Sequence, residues 1–228
     1  MFTCIILPLI GTTIGSGLVF LLKKLNVEIE RLLLGIASGV MVSASLFSLL
    51  IPSIETGGVI SAAVGFLLGI LFLDLINYKL DDNYKLAFAV TLHNIPEGMA
   101  VGVIVAGVLS GDVGLLGALS LSVGISLQNL PEGAIISMPL KEKVGKSKAF
   151  FMGTMSGIVE PIFACITLVI TSVITFLLPY LLSFAAGSMF YVVVDELIPT
   201  SSKNDKTRIT VISFSIGFVV MMVLDNLL

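Results

Sequence analysis

Residues 86–109 read LAFAVTLHNIPEGMAVGVIVAGVL, an apolar run long enough to cross a bilayer, broken near its middle by His93-Asn94-Ile95-Pro96-Glu97-Gly98. A span takes roughly 20 apolar residues at helical rise, so the length fits lipid. The six central residues do not. A second run, 113–136, carries a near copy, Gln128-Asn129-Leu130-Pro131-Glu132-Gly133. The rest of the chain supplies the setting. Of 228 residues 57% are hydrophobic and 12% charged, and the mean hydropathy is +1.13, a composition with too little polar surface to coat a water-soluble domain.

Apolar runs fall at 3–22, 32–53, 57–76, 86–109, 113–136, 149–174, 180–200 and 209–227. They predict an all-α membrane protein of eight spans, because lipid offers no partner to an open strand edge and no run alternates as a barrel strand would. This leaves no space for a separate soluble domain, so residues 1–228 read as one polytopic transmembrane domain. The first run has no basic start and is followed by Lys23 and Lys24, so it reads as a retained span and not as a signal peptide. All 12 Lys and Arg fall between spans 1 and 2, 3 and 4, 5 and 6, or 7 and 8. Basic residues accumulate on the cytoplasmic side, which puts both termini outside. The net charge of −3 and the scattered basic residues argue against a nucleic-acid partner. Cys4 and Cys165 lie in apolar stretches and read as small buried hydrophobes.

Span 2 contains Ala37-x-Gly39-x-Met41 and closes on Leu50-Ile51-Pro52, while span 7 contains Ala185-x-Gly187-x-Met189 and closes on Leu197-Ile198-Pro199. The two spans cross in opposite directions, the pattern of an inverted repeat. Five GxxxG pairs mark close helix packing, and one of them could serve a homodimer interface.

Charge inside a span costs on the order of 3 kcal/mol and persists where it lines a cavity or binds something. Asp74, Glu97, Glu132, Glu160, Asp195 and Glu196 are such charges, and His93 joins them. At about 100° per residue, positions i, i+1 and i+4 share one helix face, so each hexapeptide presents its polar side chains together. Pro96, Pro131 and Pro161 lack an N–H and release the carbonyls of Leu92, Leu127 and Gly157. Counting from the inner ends, Glu97, Glu132 and Glu160 stand at a common depth of roughly 12–17 Å. Three carboxylates at one level repel in low dielectric unless a proton or a cation lies between them. One imidazole, carboxylates and amide oxygens, with no thiolate, suit a borderline divalent ion better than magnesium or calcium. A lone Asn-x-Pro-Glu could equally be a kink with a neutral glutamate; two copies on adjacent spans weigh against it. Gln128 is either an oxygen ligand or a helix–helix hydrogen bond. Met41 is core packing by default and a soft sulfur contact otherwise. Asp74, Asp195 and Glu196 form an acidic exit path or sit solvated at the headgroups.

The doubled hexapeptide, with Glu160-Pro161 in span 6 and eight spans with outward termini, resembles the ZIP (Zrt-, Irt-like) family of divalent metal transporters. The resemblance implies that His93, Asn94, Glu97, Gln128, Asn129, Glu132 and Glu160 build a two-metal centre. It also implies two inverted three-helix repeats around spans 4 and 5, uptake into the cytoplasm, and an elevator-like movement. Many members have histidine where this chain has Gln128, and a long histidine-rich loop where it has only Tyr78 to Lys85.

The expectation is therefore a multi-pass cell-membrane carrier of zinc, with iron, manganese and cadmium as further candidates. The metal is cargo, no catalytic cofactor is needed, and the chain is not an enzyme. The rivals are a passive divalent-cation channel and an intramembrane metallohydrolase, which the absence of His-Glu-x-x-His or a second histidine disfavours.

Overall fold

The computed structural model describes residues 1–22, 26–78, 85–173, 175–203 and 208–227; the side chains of 76–78, 85–93, 135, 139, 172, 173, 175 and 227 lie outside that description. The described residues are helical, in order α1 (Phe2–Leu21), α2 (Val27–Ala44), α3 (Ile51–Tyr78), α4 (Lys85–Ser110), α5 (Leu115–Val144), α6 (Lys146–Gly157), α7 (Val159–Val173), α8 (Leu178–Val192), α9 (Ile198–Ser202) and α10 (Ile209–Leu227). Among them, five stretches are long and apolar enough to cross a membrane: Phe2–Leu21, Val27–Leu75, Lys146–Thr171, Leu178–Ser202 and Ile209–Asn226. The chain is a multi-pass membrane protein.

Two departures from the sequence reading concern connections. Spans 2 and 3 were expected to part in a short loop near Glu55. They do part, but later: the first helix runs on through a π turn, Ser45–Leu50, and past Glu55 before it breaks at Gly58, whose φ of 80° and ψ of 168° are non-helical and open to a residue without Cβ. Glu55 therefore sits in α3. Span 6 is not one rod either: α6 ends at Gly157, and the Ile158 N–H reaches back only three residues, to the Met155 carbonyl, before α7 begins. The loop expected between Tyr78 and Lys85, and Lys23 and Lys24, fall on residues outside the description.

A second π turn, Val193–Leu197, joins α8 to α9. Both π turns stand just before a proline. Ile51 N–H bonds to the Leu46 carbonyl and Ile198 N–H to that of Val193, five residues back in each case. Pro52 and Pro199 follow directly, and a ring that clashes with the carbonyl four residues earlier is relieved by this local widening.

The helices pack in pairs: α1 on α5, α4 on α7, α2 on α10 and α3 on α8. The first two pairs, with α6, form one block; the second two form another, and the blocks meet where α2 faces α5 and α4 faces α8. Small residues set the separation within the second block. A Cβ on Gly39 would meet the Phe214 carbonyl and one on Gly217 that of Ile36, while one on Gly187 would meet the Phe66 carbonyl and one on Gly69 that of Phe184. Lipid tails are as apolar as leucine, so such close backbone approach is what holds membrane helices together. Val40, Met41, Leu121, Ile125 and Met189 fill the core between the blocks. Cys4 is buried, but Cys165 is exposed on α7. A thiol is apolar enough to stand among the outward Ile162, Ile166 and Val169 of that helix without cost from lipid.

Candidate metal centre

The two hexapeptides do come together. Asn94, Glu97, Gln128, Asn129, Glu132 and Glu160 are all buried, and the fractional exposures of Glu97, Gln128 and Asn129 are 0%. Their charges meet as well as their burial: Glu97 lies within electrostatic reach of both Glu132 and Glu160, and Glu160 within reach of Glu132. Gly98 makes the approach of α4 to α7 possible, since a Cβ there would lie 2.8 Å from the Cα of Glu160. Glu160 stands in the first turn of α7, where the helix dipole favours an anion.

The amide groups are arranged with one sense. The Asn94 side-chain NH2 donates to the Ser156 carbonyl on α6 at 2.8 Å, the Gln128 NH2 donates to Oε1 of Glu97, and the Asn129 NH2 donates to the Pro8 carbonyl on α1 at 3.3 Å. Asn129 also faces the carboxylates of Glu97 and Glu160. Every side-chain NH2 in the cluster is thus used on a protein acceptor. What is left over is oxygen: among the described residues, Asn94 Oδ1, Glu97 Oε2, Gln128 Oε1, Asn129 Oδ1 and Glu160 Oε2 are buried with no hydrogen-bond partner.

Buried polar atoms are ordinarily satisfied, and an unpaired one costs on the order of 1–3 kcal/mol. Five buried acceptors without a hydrogen-bond partner are the chemistry that suits a positive guest. Of the two roles expected for Gln128, the helix–helix hydrogen bond is present, its NH2 bonding across to α4, and its carbonyl oxygen has no partner among the described residues. Among the described residues, no three His, Cys, Asp or Glu side chains converge as a closed ligand cluster. The carboxylates nonetheless feel one another's charge.

The remaining predicted residues are placed differently. His93 belongs to α4, one position before Asn94, and its side chain lies outside the described residues. Met41 is buried in the core. Asp74 is exposed on α3. Asp195 is exposed on the second π turn and lines a groove of about 290 Å³ between α3 and α8; Glu196 beside it is half-buried. Two features went unread in the sequence. One is α1, which supplies Pro8 and Thr12 as partners to the cluster. The other is Asp225 on α10, half-buried, whose Oδ1 accepts hydroxyls from Ser48 at 2.7 Å and Ser120 at 3.3 Å. A carboxylate inside the last apolar run was signal enough to have found it.

Comparison with known proteins decides the family. A family model described as ZIP Zinc transporter matches residues 77–225, and the chain is 32% identical over 246 aligned positions to the Zinc transporter GufA of Myxococcus xanthus, with 95% of each chain covered. The chain belongs to the ZIP family. It is also 29% identical to the Zinc transporter ZIPB of Bordetella bronchiseptica, over 96% of this chain and 78% of that one. To the human Zinc transporter ZIP11 it is 40% identical, over 61% of this chain and 42% of that one. ZIP proteins are transporters, which sets aside the intramembrane hydrolase. Both hexapeptides, Glu160 and Asp225 fall inside the matched ZIP region, whereas Pro8 and Thr12 lie before it.

Proposed function

We propose that this ZIP protein carries zinc, and with it related divalent ions such as iron, manganese and cadmium, into the cytoplasm. The carrying observation is the buried cluster of three mutually repelling carboxylates and three side-chain amides on α4, α5 and α7, in which five oxygens, two of them on Glu97 and Glu160, have no hydrogen-bond partner among the described residues. His93, Asn94, Glu97, Gln128, Asn129, Glu132 and Glu160 are the ligands of this reading, sharing two metal ions between them, with Glu97 and Glu132 as the bridging groups. The oxygens take over the ion's hydration shell, and the ion neutralises the repulsion between the acids. Met41, Asp74, Asp195 and Glu196 are accessory positions along the path.

Eight crossings with both termini outside, in the cell membrane, suit this role. The bend at Gly58 divides Val27–Leu75 into two arms, and the basic residues alternate between connections. An inverted repeat relates spans 1–3 to spans 6–8. It is supported by the reciprocal contacts Gly39–Phe214 and Gly187–Phe66, and Gly217–Ile36 and Gly69–Phe184, which exchange partners at one constant displacement along the chain; the two π turns begin at the same displacement. The block of α1, α4, α5, α6 and α7 carries the ligands, and its movement against the other block exposes them to each side in turn. A homodimer is compatible with this arrangement.

Zinc uptake into liposomes tests the reading. The wild-type protein fills the vesicles in a saturable manner. Glu97→Ala plus Glu132→Ala abolishes uptake if the account holds, and undiminished transport by that double variant defeats it.

A further inference from the structure

The α1 helix carries no residue of the predicted ligand set, yet it touches the cluster at three places. The Pro8 carbonyl accepts the Asn129 NH2 at 3.3 Å, and the Thr12 hydroxyl lies 3.3 Å from Oε1 of Glu160. The Thr12 carbonyl abuts Gly133, the residue after Glu132. Thr12 is almost wholly enclosed, with 1% of its surface exposed, and its Cβ fills the space against Gly157, where an added Cβ would come within 2.8 Å. Its position is therefore fixed by packing before its hydroxyl is considered.

That hydroxyl has one proton and two acceptors at the same distance, Glu160 Oε1 and its own helix's Pro8 carbonyl, both at 3.3 Å. The proton can turn to Glu160 and hold Oε1, which leaves Oε2, the oxygen with no partner among the described residues, as the one open to a ligand. When Glu160 is drawn elsewhere, the proton returns to Pro8 and no buried donor is stranded. A buried hydroxyl normally bonds back to its own helix and stays there. Here a second acceptor from another helix competes for it.

Resting on the metal reading above, we propose that Thr12 is a positioning residue for Glu160: it selects which carboxylate oxygen faces the ion and restrains the carboxylate through a bond that can be released to Pro8. Pro8 does the same for Asn129 through a backbone carbonyl that no side-chain substitution removes, so Thr12 is the member of the pair that can be tested.

Thr12→Val keeps the branched shape against Gly157 and deletes the proton; Thr12→Ser keeps the proton and deletes a methyl. Outer partners of a metal ligand are worth about 10- to 100-fold in affinity, and a shared 3.3 Å contact belongs at the lower end. In purified full-length protein, Thr12→Val is expected to raise the zinc dissociation constant and the half-saturating concentration for liposome uptake by about tenfold. The maximal rate and the melting temperature of the metal-free protein stay near wild type. Thr12→Ser restores binding, and with cobalt as probe its visible absorption matches wild type while that of Thr12→Val does not. Wild-type binding by Thr12→Val, or equal losses in both variants, would overturn the inference. Glu97→Ala plus Glu132→Ala run alongside separates the two claims, because zinc binding that survives the double variant contradicts the metal centre itself.

Discussion

Gln128 on α5 donates its side-chain NH2 to Oε1 of Glu97 on α4, and its own Oε1 is left buried without a partner among the described residues. One side chain thus locks a carboxylate from the neighbouring span and offers an oxygen of its own. An imidazole at this position would exchange the open oxygen for nitrogen. Gln128→His is expected to tighten zinc binding and to sharpen the preference for zinc over manganese, since nitrogen ligands favour zinc and oxygen ligands favour manganese. Competition between the two ions in equilibrium binding checks it.

Asn129 is the residue on which the charge balance turns. Its NH2 meets the Pro8 carbonyl and faces the carboxylates of Glu97 and Glu160, so Asn129→Asp puts a further acceptor against three existing ones. Without metal the variant should lose about 3 kcal/mol or more of stability, the scale of an uncompensated buried charge. Saturating zinc should recover much of that loss. Thermal melts with and without zinc measure both quantities.

Gly98 sets the distance between two of the ligand-bearing helices. Gly98→Val would force α4 away from Glu160, at a cost of about 1–3 kcal/mol for overpacking and with misplacement of Glu97 one residue earlier. Uptake should fall by more than the folded fraction does, a comparison read from transport rate against size-exclusion yield.

Asp225 ties three helical segments, accepting from Ser48 in the first π turn and Ser120 on α5. Asp225→Asn keeps an oxygen acceptor at that place and should stay within about 1 kcal/mol of wild type, whereas Asp225→Ala strands the Ser48 hydroxyl and costs about 1–3 kcal/mol. Melting temperatures of the two variants in the same detergent distinguish them.

The parts legible in the sequence are those with a local physical cause. Hydropathy marks what must leave water, so the apolar runs were readable as helices, though not the break between α6 and α7, and helical spacing placed Asn94 beside Glu97 and Asn129 beside Glu132. Proline explains the π turns once they are seen, but Pro52 alone does not tell a loop from a widened helix that continues to Gly58. Cys165 was misread because apolar runs do not say which face meets lipid and which meets protein. Thr12 was invisible for a related reason. A threonine in an apolar helix ordinarily bonds to its own backbone, and only the packing of α1 on α5 and α7 brings Glu160 to its hydroxyl.

The most direct test of a cation site at the crossing of α4, α5 and α7 is a crystal of the full chain soaked in cadmium and measured for anomalous scattering. The account predicts density between Glu97, Gln128, Asn129 and Glu160, within coordination distance of their open oxygens. A well-ordered structure with no anomalous peak there, or with cadmium bound only at exposed acids such as Asp74 and Glu55, would contradict it.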